Sequence, residues 1–218
     1  MLDQLTQLTN SDEYIQRMNL FITEVVIRPK EEMRITLEIF DDFSKNVEKD
    51  KQVWEIICKD IIYSTSNKIH EPKRPYNRIN VYTDHPVLLN YVSSVYFSIT
   101  GTCDNIAELM GDLFIAHDKT CGDWVDFHWL FSSLPETLRT LRSNQLSLPE
   151  KLFPIYAEVF KKHNLQFTIN EVDKQENDLT VLIFGNPDVA PDNYCFGQPY
   201  VVAGSFEERL KTVNRTTN

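Results

Sequence analysis

Residues 116–129 read AHDKTCGDWVDFHW and bring together two His, three Asp, a Cys and two Trp. An imidazole steered by a carboxylate can serve as a general base, and His, Asp and Cys together can ligate a metal ion. Taken as a strand, WVDFHWLF (124–131) alternates. Val125, Phe127, Trp129 and Phe131 share one face, and Trp124, Asp126, His128 and Leu130 share the other. That spacing sets Asp126 and His128 side by side, about 7 Å apart along the backbone. His117 ends the apolar face of the segment before it, and Cys121 lies in the turn between. A further candidate base is His85 in Asp84-His85-Pro86, at a strand-to-helix junction of the kind that often carries function.

One reading is therefore a small metal-dependent hydrolase using Asp126, His128, His117 and His85. Against it, a zinc site needs three or four ligands, and no tight ligand motif supplies them. The sequence also lacks G-x-S-x-G, HExxH, an EF-hand loop and a glycine-rich phosphate loop. An amphipathic strand whose polar face meets solvent accounts for the same letters. Neither a metal nor an organic cofactor is implied.

Charge gives the other reading. Between residues 101 and 137 seven acids, Asp104, Glu108, Asp112, Asp118, Asp123, Asp126 and Glu136, are opposed by Lys119 alone. Such a surface suits a basic protein partner, and aromatic side chains commonly anchor such contacts. The favoured expectation is a non-enzymatic protein-binding module. Glu108, Asp112, Asp123 and Asp126 supply the charge, and Trp124, on the polar face of the strand, is the exposed anchor.

The rest of the composition agrees. Net charge is −10, from 22 basic and 32 acidic residues, so no basic stripe for nucleic acid is available. The most basic stretch, KIHEPKRPYNR (68–78), is broken by Pro and Glu71 and reads as a solvated loop. Cys58, Cys103, Cys121 and Cys195 are scattered, which favours reduced thiols and a cytoplasmic setting. No signal peptide and no membrane span are expected.

The positioning elements are an irregular mixture. A capping box at Asn10 and Glu13 predicts a helix over 11–18. Strands are expected at 19–27, 33–40, 52–65, 77–83, 93–100, 165–172, 179–185 and 200–204. Asp84 is expected to cap a short helix carrying Pro86 in its first turn, and Asp104 or Asn105 to cap one through Ile106, Leu109, Met110, Leu113 and Phe114. Ser133-Leu134-Pro135-Glu136 and Ser147-Leu148-Pro149-Glu150 both look like helix starts, and Pro154 sets where the second becomes regular. Ser205-Phe206-Glu207-Glu208 predicts a last helix. Without regular βα alternation the class is α+β, a largely antiparallel sheet with helices interleaved irregularly. One compact domain over 1–218 is expected, with a soft sub-boundary near 66–76. The ending PYVVAGSFEERL, read as a strand leading into a Ser-capped acidic helix, is similar to the tail of SUKH-type immunity domains. That likeness implies an immunity-type inhibitor as one form of the binding module.

Overall fold

The computed structural model describes residues 2–28, 32–41, 51–65, 76, 78–140, 145–175, 178–185 and 199–213. The chain is α+β, and every strand pair in its two sheets is antiparallel. It forms two compact units, Met1–Asp84 with Asp178–Asn218, and His85–Asn177. The sub-boundary expected near 66–76 and the basic stretch 68–78 lie largely outside the described residues, as do His70 and Cys195. Among the described residues no helix is long and apolar enough to cross a membrane.

The first unit opens with helices α1 (Asp3–Thr9) and α2 (Asp12–Arg17). Strands β1 (Met18–Arg28), β2 (Glu32–Asp41), β3 (Gln52–Ser64) and β4 (Ile79–Tyr82) follow. The second unit holds β5 (Ser94–Thr100), α3 (Ile106–Cys121), α4 (Phe127–Phe131), α5 (Leu134–Thr140), β6 (Leu146–Pro149), α6 (Phe153–Lys162) and β7 (Gln166–Asp173). The chain then returns to the first unit with β8 (Thr180–Phe184) and β9 (Tyr200–Val213).

In the first unit the strands form a six-stranded sheet in the order β1-β2-β3-β9-β8-β4. Tyr76 donates its backbone N–H to Leu20 O at 2.8 Å, which curls the β4 end back toward β1. Ile35, Leu37 and Ile39 alternate as a half-buried strand requires, and all three are buried. They meet Leu20, Trp54, Ile56, Leu182 and Val201 under Leu2, Leu5 and Tyr14 of the two helices.

Two capping expectations change here. Ser11, not Asn10, caps α2, its hydroxyl accepting from Tyr14 N at 3.2 Å. The segment from Ser205 is not a helix. It continues β9, because β3 runs alongside and pairs with it out to Val213. The strand-then-helix form on which the likeness to SUKH-type tails depended is therefore absent.

Glu208 does cap a helix, but another one. Leu2, the N-cap residue of α1, offers no side-chain cap, and the Glu208 carboxylate accepts from Gln4 N (2.8 Å) and Leu5 N (2.9 Å). An anion placed there satisfies two orphan donors and complements the helix dipole. Glu208→Ala is expected to cost about 1 kcal/mol, measurable by urea denaturation. Glu208→Gln, which keeps one of the two accepting oxygens and loses the charge, is expected to recover only part of that loss.

In the second unit β5 is the middle of a three-stranded sheet, β6-β5-β7. Val95, Phe97, Leu109, Leu113, Tyr156 and Phe160 form the centre of its core. α3 starts as expected, with Asn105 Oδ1 accepting from Glu108 N at 3.2 Å. Its buried residues are Leu109, Leu113, His117 and Cys121, each four apart, while Phe114 is exposed.

Three local expectations fail in this unit. WVDFHWLF is not a strand: residues Gly122–Trp124 make a 3-10 turn and Phe127–Phe131 are α4. Ser147-Leu148-Pro149 belongs to β6, held by its pairing with β5, and the next helix starts at Phe153 with Pro154 in its first turn. The 3-10 helix Pro86–Tyr91 is capped by His85 rather than Asp84.

Candidate functional site

The stretch that opened the sequence analysis joins α3 to α4, and His117 is its structural centre. His117 is buried on the last turns of α3. Its Nε2 lies 2.7 Å from Val125 O, and its Nδ1 lies 2.7 Å from the Tyr156 hydroxyl. A carbonyl oxygen only accepts, so Nε2 carries the proton and Nδ1 accepts from Tyr156 in the neutral ring. The imidazole thus ties α3 to the residue that follows the 3-10 turn, and also to α6.

Cys121 Sγ is 3.5 and 3.6 Å from the two ring nitrogens of His117. Nearly equal distances put the sulfur over the ring rather than in line with either nitrogen. Burial pushes the thiol up to about 11, and burial also raises the Tyr156 hydroxyl above the ordinary phenol range. A thiol of that kind stays protonated at neutral pH and is a poor nucleophile. The buried Cys–His–Tyr cluster is a clamp.

The other candidate bases have backbone tasks. His85 Nδ1 accepts from Val87 N at 3.2 Å, and the ring meets Trp124 edge-on with centroids 4.4 Å apart. Asp126 is the N-cap of α4, its Oδ1 accepting from His128 N (2.7 Å) and Trp129 N (3.2 Å). The expected Asp126–His128 contact is therefore carboxylate to backbone, not carboxylate to imidazole. Because the segment is helical, it has no two-residue periodicity to put those side chains on one strand face. Among the described residues no group of three or more His, Cys, Asp and Glu is placed to hold a metal ion.

The acidic residues divide into two sets. Asp112 is engaged inside the unit: its Oδ2 accepts from Lys162 Nζ and from His163 Nε2, each at 2.7 Å. Glu108, Asp118 and Asp123 are exposed, and among the described residues none of them makes an ion pair. The aromatic expectation reverses. Trp124 is half-buried against His85, whereas Trp129 is 66% exposed on α4. Phe114 is also exposed and meets Phe127 of α4 edge-to-face at 5.3 Å.

No protein-family model matches this chain, and no curated protein or solved structure matches it. Its function has to be read from its own geometry.

Hydrogen bonds from Lys162 and then His163 hold the Asp112 carboxyl below its ordinary value of 3.8. A carboxylate whose folded value is depressed contributes stability that is fully present above the unfolded value. That stability is lost as pH falls through the folded one. Thermal melts of the native chain are therefore expected to lose stability below about pH 4 in part through Asp112, a loss that Asp112→Asn makes shallower.

Proposed function

We propose that the second unit is a protein-binding module whose acidic α3–α4 face engages a basic protein partner. The observation that carries this reading is Trp129. It is a 66% exposed indole on a five-residue helix, in a segment whose acids Asp118 and Asp123 are exposed. A large rigid ring of this kind is the side-chain type that most often anchors an interface. Exposed carboxylates in the same segment steer a cationic surface toward such an anchor and reject acidic ones. Three of the four residues that the enzyme reading needs are engaged as caps and clamps: His85 on the 3-10 helix, Asp126 on α4, and His117 with Tyr156. An inhibitor that masks a basic surface of its target would use a face of this kind.

The experiment is affinity capture with the full chain at low and high salt, repeated with Trp129→Ala, with Asp118→Lys/Asp123→Lys, and with Asp12→Lys/Glu13→Lys on α2 as a control. The expected result is a partner that is lost at high salt, weakened about thirtyfold by Trp129→Ala, abolished by the α3–α4 charge reversal and unaffected by the control. A partner held equally by all three variants would sink the assignment.

A further inference from the structure

We propose that β7 is a docking edge to which an extended basic segment of another protein adds as a fourth strand of the three-stranded sheet. This goes beyond the α3–α4 face and uses none of its residues. In the order β6-β5-β7, β7 pairs with β5 on one side, and among the described residues no strand pairs with its other edge. Seven of its eight residues are exposed. Alternate backbone N–H and C=O groups along such an edge point away from the sheet, a template for another strand.

The side chains add a second, independent requirement. Ile169 stands opposite Phe97 and Glu171 opposite Tyr96, so Asn170 is an extra residue in a bulge. The bulge returns Val172, opposite Val95, to the face shared by Ile169 and Phe167, the face of the core. Phe167 rests edge-to-face on Phe153 at 5.0 Å. Beyond it, Ile169 is 49% and Val172 37% exposed. A strand laid along β7 would satisfy the open backbone row and cover this apolar row with its own inward residues.

Charge selects the occupant. Glu171 and Asp173 on the strand are exposed, and among the described residues neither forms an ion pair. Lys174 follows the strand and leaves the two acids in net excess. Two copies of the chain, each carrying −10, would bring these acids together, so β7 is poorly suited to pair with itself. A segment that alternates Lys or Arg with Val or Ile fits both rows: its bases stand near Glu171 and Asp173, and its apolar residues extend the row of Ile169 and Val172.

The test uses the full chain and a capped hexapeptide, Lys-Val-Lys-Val-Thr-Val, with hydrogen exchange read residue by residue. Exchange at β7 amides is expected to slow about tenfold on peptide addition, with affinity falling about tenfold in Ile169→Lys and in Glu171→Lys/Asp173→Lys. N-methylating one alternate set of peptide amides is expected to abolish binding, and methylating the other set to leave it. Trp129→Ala and Asp118→Lys/Asp123→Lys are expected to bind the peptide normally, so loss of the α3–α4 reading and loss of this one are separable. All substituted positions are exposed, and circular dichroism checks that each variant folds. No slowing at β7 with millimolar peptide overturns the proposal, as does equal binding of the peptide with Glu in place of Lys. A homodimer abolished by Ile169→Lys overturns it in favour of a second copy as occupant.

Discussion

In His117→Ala the chain is expected to lose about 3–4 kcal/mol of stability, because both ring nitrogens are committed and the side chain is buried. Removing the imidazole leaves Val125 O and the Tyr156 hydroxyl without their partner and opens a cavity beside Cys121 and Phe127. For a chain of 218 residues this corresponds to a fall in Tm of about 10 °C. His117→Gln is expected to recover part of the loss, since its amide nitrogen reaches toward Val125 O as Nε2 does. Hydrogen exchange at the 3-10 turn Gly122–Trp124 should accelerate in the alanine variant more than exchange in the first unit. A Tm within about 2 °C of the native value would show that His117 is not a clamp. It would also return the ring to the catalytic candidates.

The α+β class and most strands were legible because their signal is local. Ile35, Leu37 and Ile39 alternate, and the result is β2; Asn105 precedes an apolar four-residue spacing, and the result is α3. The segment 124–131 was misread because its letters satisfy two templates. Val125, Phe127, Trp129 and Phe131 have the period of a strand, but Phe127, Leu130, Phe131 and Leu134 have that of a helix. Asp126 at the cap and the continuation to Leu134 favour the helix, and Leu130, Phe131 and Leu134 are buried as it requires. Ser147 and Ser205 went wrong for a different reason. Each begins a string that reads as a capping box, yet each lies on a strand because a distant strand pairs with it, β5 in one case and β3 in the other. A local cap signal carries no information about such a partner.

The candidate site shows the same division. The excess of acids over 101–137 can be counted in the sequence, but which acids are free cannot. Asp112 meets Lys162 and His163 across 50 and 51 residues, a pairing set by the packing of α3 beside α6. Trp124 and Trp129 exchanged places once the segment became helical, since exposure follows the period of the backbone. The helix expected from Ser205-Phe206-Glu207-Glu208 is a strand, and Glu208 instead caps α1, 203 to 204 residues away in sequence. In each case the residue type revealed what the side chain could do, and the tertiary fold decided for which partner.

Two glycine-to-alanine substitutions are expected to act in opposite directions. Gly101 follows β5 with φ of +110°, and a Cβ there would stand 2.8 Å from Asn164 O. The obstacle is backbone. Asn164, at φ 59°, closes the end of α6, and Leu165 N donates to Phe160 O at 3.0 Å to complete that turn. Relief of the clash therefore requires the end of α6 or the start of the β5–α3 connection to move. The strained φ alone costs about 1–3 kcal/mol, so Gly101→Ala is expected to lose about 3 kcal/mol and about 10 °C in Tm. Gly111 sits in the interior of α3, where a Cβ would meet nothing within 4 Å. Alanine there removes the conformational penalty of a helical glycine and is expected to add about 1 kcal/mol. Differential scanning calorimetry on the two variants reads both signs. Equal destabilisation would mean that the close approach of Gly101 to Asn164 is not what selects glycine. A gain at Gly111 with a loss at Gly101 would separate the glycine the fold requires from the one it merely tolerates.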